Sequence, residues 1–210
     1  MAPDHPTLDW RDGVPVSARY GDAYYQADGW AEAAHVFLGG NDLPARLTAG
    51  FRVAELGFGT GLNALVLSDA APCPVAMTSF EAHPMTRDDM ARALAPFGGG
   101  GALVDQWPAE RIALPNLDLT VMFGDARETL PMWEGTADAW FLDGFAPARN
   151  PEMWGEALLA AVGRATPPGG TVATFTAAGH VRRALDAAGF EVTRVPGFGR
   201  KRHMTRGTKR

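Results

Sequence analysis

Short apolar runs bounded by Gly, Pro, Asn or Asp alternate along this chain with stretches whose apolar residues fall three and four apart, the strand and helix signatures respectively. Phe51–Leu56 (FRVAEL) is the first core strand and runs straight into Gly57. A helix follows over Leu62–Asp69, then a second strand, Ala76–Glu81, with Arg87–Ala95 as its helix. The glycines at 98–101 predict a loop. Leu117–Phe123 is the third strand, ended by Gly124 and Asp125, with a helix over Ala126–Leu130. Ala137–Leu142 is the fourth, ended by Asp143 and Gly144. Pro151 opens a helix toward Val162, as proline can at a first turn. Thr171–Phe175 is the fifth strand, and Ala178–Ala188 a helix stopped by Gly189. Glu191–Val195 and Arg202–Thr208 are expected to pair as a closing hairpin around Pro196–Gly199. Strands alternating with helices predict an α/β fold with a mostly parallel sheet. Residues 1–50 carry Trp10, Tyr20, Tyr24, Tyr25 and Trp30, with helical spacing over Trp30–Leu38. Such aromatic density predicts an N-terminal extension (1–50) packed on a single domain (51–210). No internal repeat or linker interrupts the pattern.

Composition narrows the class. With 210 residues, 46 % hydrophobic and 20 % charged, one ordinary domain with a packed core is expected. No apolar run reaches the ~18–20 residues of a membrane helix, and Met1–Asp4 lacks the layout of a secretory signal. The single cysteine, Cys73, excludes a disulfide framework and a cysteine-rich metal site. His5, His35, His83, His180 and His203 show no metal spacing. We therefore expect no metal, no membrane partner and a cytoplasmic location. Neither a Gly-x-Ser-x-Gly elbow nor a Walker-type loop is present.

Net charge is −5, but it is unevenly spread. Residues 1–191 hold 12 Lys/Arg and all 24 Asp/Glu, a balance of −12. Residues 192–210 hold seven basic residues (Arg194, Arg200, Lys201, Arg202, Arg206, Lys209 and Arg210) and no acid, a balance of +7. A basic end on an acidic body can attract a phosphate backbone. A solvated tail explains the same composition, although the hairpin reading makes this end folded.

Four constellations carry chemistry. Glu55-Leu56-Gly57-Phe58-Gly59-Thr60-Gly61 puts glycines at a strand-to-helix turn, where the backbone can bend and approach a ligand. Dinucleotide sites favour G-x-G-x-x-G. Here the spacing is G-x-G-x-G, and Glu55 beside it would repel a pyrophosphate but suit the cationic ammonium and sulfonium of S-adenosylmethionine. Glu81, at the second strand's end, can accept from both ribose hydroxyls of an adenosine. It does not separate S-adenosylmethionine from NAD. Asp125 can accept from an adenine amino group, cap the following helix, or do both. Asp143 ends an apolar strand at the carboxyl edge of the sheet, where such folds hold ligands. It could hold and orient a substrate amine. Phe145 and Trp154 could sandwich a base, or be core aromatics.

Assembled, these residues resemble the methyltransferase domain of the bifunctional tRNA 5-methylaminomethyl-2-thiouridine biosynthesis proteins. The resemblance runs through GVPVS (13–17), Tyr24–Tyr25, VFLGGN (36–41), ELGFGTGLN (55–63), Ser79–Glu81, Gln106–Pro108, Phe123–Asp125, AWFLDGFAPARNPEMW (139–154), Pro168–Thr176 and GFGRKR (197–202). It implies a class I, Rossmann-like fold of seven strands with the last antiparallel. It implies methyl transfer from S-adenosyl-L-methionine to the primary amine of 5-aminomethyl-2-thiouridine at the tRNA wobble position. The cofactor residues it implies are Glu55, Gly57, Phe58, Gly59, Gly61, Asn63, Glu81, Asp125 and Asp143, with Asp143 at the reacting amine. Phe145, Pro147, Asn150, Trp154, Arg200, Lys201 and Arg202 are implied for the substrate, the last three for the tRNA anticodon region. In such proteins a flavin oxidase domain follows. The chain ends at Arg210, so no flavin is expected; either a separate enzyme supplies the aminomethyl uridine or the chain is a methyltransferase-only relative. The residues alone also leave room for a small-molecule methyltransferase, an NAD enzyme, or an RNA-binding module without a cofactor.

Overall fold

The computed structural model describes residues 4–26 and 28–210. Residues 1–3, whose composition bears on the signal reading, and residue 27 lie outside the described residues. The chain opens with a small antiparallel sheet, β1 (Leu8–Arg11), β2 (Val14–Ser17) and β3 (Asp22–Ala23). A short helix α1 (Gly29–Ala33) continues through wider and tighter turns to Asn41.

The core then runs β4 (Arg52–Leu56), α2 (Leu62–Ala70), β5 (Val75–Glu81), α3 (Arg87–Leu94), α4 (Gly101–Gln106), β6 (Arg111–Leu114) and β7 (Leu117–Phe123). It continues with α5 (Ala126–Met132), β8 (Ala139–Leu142), α6 (Glu156–Arg164), β9 (Thr171–Thr174), α7 (Gly179–Ala187), β10 (Phe190–Pro196) and β11 (His203–Lys209).

The main sheet has eight strands in the order β10-β11-β9-β8-β4-β5-β7-β6, not the expected seven. The additional strand is β6, which pairs antiparallel with β7 at the sheet edge, Ile112 opposite Leu119. The central pairs are parallel, and β11 lies antiparallel between β9 and β10. The glycine run is also corrected. Gly100, at φ 75°, is the N-cap of α4, and Gly101 is already helical. The helix expected from Pro151 is a single tight turn, Pro151–Trp154, followed by α6.

Successive side chains of a strand point to opposite faces, and the core divides accordingly. Val53, Met77, Leu119 and Phe141 pack with α2, α3 and α4 on one face. Ala54, Leu56, Phe80, Trp140 and Val172 pack with α5, α6 and α7 on the other. Val36, Phe37, Leu38, Leu43 and Leu47 join the first face, so the N-terminal segment shares the core. Each such fully buried side chain contributes roughly 2 kcal/mol. Polar contacts fix the same junction: Asn41 Nδ2 donates to Phe37 O (2.9 Å) and Trp140 O (3.2 Å), and Thr171 donates to Asn41 Oδ1 (2.6 Å). Strand order reverses between β4 and β8, and the crevice beyond their carboxyl ends is where open α/β sheets bind ligands.

Candidate active site

β4 delivers the chain into a turn in which Gly57 and Gly61 take φ of 82° and 76°. Side chains avoid that region. A Cβ on Gly57 would also lie 3.4 Å from Asp143 O, and one on Gly61 would lie 2.6 Å from Leu103 Cδ2. The turn therefore presses on the end of β8 and starts α2 at the crevice. Gly59 N donates to Glu81 Oε2 (2.8 Å), which joins the turn to the end of β5.

Beneath the turn lies a carboxylate network. Glu55 is fully buried. Its Oε2 accepts from Ser79 Oγ (2.6 Å) and its Oε1 from Asn63 Nδ2 (2.8 Å). The same Asn63 nitrogen donates to Asp143 Oδ2 (2.8 Å), and Gly144 N donates to Asp143 Oδ1 (2.7 Å). Burial pushes the Glu55 carboxyl well above the usual carboxylate range. Burial also pushes Asp143 up, to about 6, against the lowering effect of the Gly144 and Asn63 hydrogen bonds. Glu81 is raised for the same reason, opposed by the backbone N–H groups of Gly59 and His83.

A cleft of about 640 Å³ opens over this network. It brings together most of the expected residues: Gly57, Phe58, Gly59, Asn63, Glu81, Asp125, Asp143, Phe145, Asn150 and Lys201 line it. Asp125 also caps α5, accepting from Arg127 N (2.9 Å), and the Arg127 guanidinium holds its carboxyl below the usual range. Both expected roles of Asp125 are thus geometrically open to it.

Other residues stand elsewhere. Glu55 and Gly61 lie behind the wall, so Glu55 reaches the cleft only through Asn63. Pro147 is also outside the lining. Trp154 is buried and outside it, its Nε1 donating to Phe145 O (2.9 Å) and its ring edge-on to Phe175 (5.9 Å). The Phe145–Trp154 sandwich is corrected accordingly: Trp154 is a core buttress, and the rings against Phe145 are Tyr20 (4.8 Å) and Tyr24 (5.0 Å).

Arg200 and Arg202 are exposed, whereas Lys201 turns inward, its Nζ 2.7 Å from Glu32 Oε1 and 4.3 Å from the centre of the Phe175 ring. The basic end is partly neutralised. Arg206 pairs with Asp42 (3.1 Å), Lys209 donates to Ala188 O (2.6 Å), and Arg210 pairs with Asp186. Among the described residues, Arg194, Arg200 and Arg202 make no ion pair.

The N-terminal segment supplies a wall that residue patterns did not assign to the site. Tyr20, Asp22, Tyr24 and Glu32 all line the cleft. Asp22 Oδ2 accepts from Ala146 N (2.9 Å), tying β3 to the loop after Asp143. Burial pushes the Tyr24 phenol upward. The aromatic density of 1–50 signalled packing, but no spacing rule links Glu32 to Lys201, 169 residues apart. Among the described residues no cluster of three His, Cys, Asp or Glu could hold a metal, and no helix is long and apolar enough to cross a membrane.

The family described as S-adenosyl-L-methionine-dependent methyltransferase matches residues 101–210. The chain is 51 % identical over 226 residues to the tRNA 5-methylaminomethyl-2-thiouridine biosynthesis bifunctional protein MnmC of Caulobacter sp. (strain K31), covering 95 % of this chain and 38 % of that protein. It is 44 % identical to the protein of that name from Stutzerimonas stutzeri (strain A1501), covering 97 % of this chain and 34 % of the relative. This chain thus spans well under half the length of these relatives. Among solved structures, MNMC2 from Aquifex aeolicus aligns with a TM-score of 0.75 at 25 % identity, over 99 % of this chain and 71 % of that one. SAM-bound CalS10, an amino pentose methyltransferase from Micromonospora echinaspora, aligns with a TM-score of 0.55 at 16 % identity over 88 % of this chain and 93 % of that one, a likeness of fold.

Proposed function

The chain belongs to the S-adenosyl-L-methionine-dependent methyltransferases, and from that premise we propose that it methylates the aminomethyl nitrogen of 5-aminomethyl-2-thiouridine at the wobble position of tRNA. The substrate follows from the relatives, which are named for 5-methylaminomethyl-2-thiouridine biosynthesis.

The cleft suits the methyl donor. Its volume of about 640 Å³ is in the range of small-molecule sites. A Cβ would crowd the Gly57 cradle, and the wall offers the carboxylates of Glu81, Asp125 and Asp143. In this reading the Gly57–Gly59 backbone and Phe58 hold the donor, Glu81 accepts from its ribose hydroxyls and Asp125 from its adenine amino group. Asn63 serves by holding Asp143. When bound, S-adenosyl-L-methionine supplies an electrophilic methyl group on a sulfonium.

The observation that carries the reading is Asp143, held by Asn63 and Gly144 on the wall it shares with Phe145 and Tyr20. An aliphatic ammonium titrates near ~10, well above Asp143 at about 6. Asp143 is therefore a weak base for it and a strong hydrogen-bond acceptor. Its work is to orient the amine and to pass on one proton through a carboxylate oxygen. Tyr20 and Phe145 offer ring surface to an unstacked base, with Asn150 as a polar partner. Arg194, Arg200 and Arg202 form the tRNA-facing cations toward the anticodon region. The reaction consumes a free primary amine, so a preceding enzymatic step that releases this amine must supply it. The expected compartment is the cytoplasm.

The test is incubation with labelled S-adenosyl-L-methionine and tRNA carrying the aminomethyl group, then nucleoside digestion. Label in 5-methylaminomethyl-2-thiouridine is expected. Label in another nucleoside, or none, refutes the proposal.

A further inference from the structure

We infer that Glu32, held by Lys201, is a second acceptor for the substrate amine beside Asp143, and that the two carboxylates together confine the enzyme to one methyl transfer onto a primary amine. The inference rests on the reading that this cleft methylates an aminomethyl group.

The placement is built into α1. Gly29 and Glu32 are three residues apart and share a helix face. A Cβ on Gly29 would lie 3.1 Å from Leu62 Cδ2, so that face is seated on the first residue of α2. The next residue, Asn63, holds Asp143. Glu32 thus enters the cleft beside the Asn63–Asp143 pair, with its side chain only 13 % exposed. Its partner Lys201 places a primary ammonium 2.7 Å from the Glu32 carboxylate and 4.3 Å over the Phe175 ring. A carboxylate with an aromatic face recognises ammonium groups, and here one is already seated. The Asp143 carboxyl feels both charges, Glu32 raising its proton affinity and Lys201 lowering it. Both charges therefore lie within electrostatic reach of Asp143, beneath the larger effects of burial and of the Gly144 and Asn63 hydrogen bonds.

The selectivity follows from counting N–H groups. A substrate ammonium gives up one proton by way of Asp143 and keeps two N–H bonds and a lone pair. Asp143 accepts one N–H, Glu32 the other, and the lone pair is left for the incoming methyl. As the new C–N bond forms, the C–S bond breaks, sulfur keeps its electron pair and nitrogen takes up the positive charge. Loss of a further proton leaves a secondary amine with one N–H. For a second transfer, its methyl would have to lie against one of the two carboxylates, stranding a desolvated acceptor.

The experiment compares the wild-type chain with Glu32→Gln, Glu32→Ala and Glu32→Asp. Substrates are an anticodon stem-loop carrying an aminomethyl uridine and one carrying a methylaminomethyl uridine, with methyl groups per uridine counted by mass spectrometry. The wild type should add one methyl to the first and none to the second. Glu32→Ala and Glu32→Gln should lower kcat/KM on the primary amine by roughly 10- to 100-fold and begin to methylate the secondary amine. Glu32→Asp should recover part of the selectivity. S-adenosyl-L-methionine affinity, measured by calorimetry, should stay within about twofold in all variants, which separates loss of acceptor from loss of fold. Unchanged selectivity and kcat/KM in both Glu32→Gln and Glu32→Ala, or equal use of the two substrates by the wild type, overturns the inference. A wild type inactive on the aminomethyl stem-loop and on full tRNA overturns the parent reading and this one with it.

Discussion

Asn63 Nδ2 lies 2.8 Å from Asp143 Oδ2. The same amide reaches the buried Glu55, also at 2.8 Å, so a carboxylate that never touches the cleft sets the orientation of one that does. Asn63→Ala cuts this chain and should lower kcat by roughly 10- to 100-fold. Asp143→Asn removes the acceptor itself and should cost about 10²- to 10⁴-fold. Cofactor affinity should change little in Asp143→Asn. Single-turnover rates alongside calorimetry check both, and a normal rate in Asp143→Asn contradicts the assignment.

The pH profile carries a second expectation. Asp143 must be ionised, and its carboxyl sits at about 6; the amine must be neutral, and it titrates near ~10. Log kcat should therefore rise with a slope near two below about pH 6 and near one above it. In Asp143→Asn only the slope of one should remain. A single slope in the wild type between pH 5 and 8 would count against Asp143.

Stability should move the other way. The folded state raises the carboxyls of Asp143, Glu55 and Glu81, so it binds protons more tightly than the unfolded chain. Their contribution is full below the unfolded values near ~4 and is lost as pH rises through the folded ones, about 6 for Asp143. Asp125 and Asp138 are lowered and oppose this only at more acid pH. The melting temperature should be a few degrees higher at pH 5 than at pH 8, with a smaller difference in Asp143→Asn. Thermal scans across that range decide it.

Much of this arrangement was legible in the residues. β7 ran over its expected span because an apolar run met Gly124 and Asp125, and β4 was marked by the glycine turn behind it. The missing strand, β6, is four residues at the sheet edge, held by pairing with β7 rather than by a pattern of its own. α4 was hidden because a glycine run reads as a loop, although its last glycine starts a helix whose buried Leu103 fills the space beside Gly61. For Trp154 the residues leave open a base-stacking ring and a core aromatic, because the strand-end motif carries no record of depth; the structure shows the second. Glu32 and Lys201 meet only when α1 docks on α2 and the closing hairpin folds over it. Such a contact leaves no local trace.

Glycine substitutions separate backbone strain from packing. Gly61→Ala forces a side chain at φ 76° and brings its Cβ to 2.6 Å from Leu103 and 2.8 Å from Phe58. Gly98→Ala meets a similar φ, 88°, with nothing within 4 Å. Both should cost about 1–2 kcal/mol for conformation, and Gly61→Ala a further ~1–3 kcal/mol for overpacking. Denaturant titrations should rank Gly61→Ala as the less stable. Equal losses would mean that the turn is not tightly packed.

The exposed cations are testable through salt. Replacing Arg194, Arg200 and Arg202 with Gln should raise KM for tRNA about tenfold near physiological ionic strength and reduce the salt slope by roughly 2–3. Cofactor affinity should not change. Lys201→Gln should instead act on kcat and on amine selectivity, because its ammonium points into the cleft. A triple variant with unchanged salt dependence would place the tRNA contact elsewhere.

β11 is flanked on both sides, by β9 and β10, yet it is synthesised after every other strand of the sheet. On a ribosome, β9 and β10 must wait beside an open seam until residues 203–209 emerge, and closing that seam is a long-range event that comes late in folding. The same closure draws Lys201 over Glu32. A chain interrupted shortly before residue 201 would lack both the sheet's internal strand and the lysine of the cleft. The last seam of the sheet and the Lys201–Glu32 corner of the cleft therefore close together.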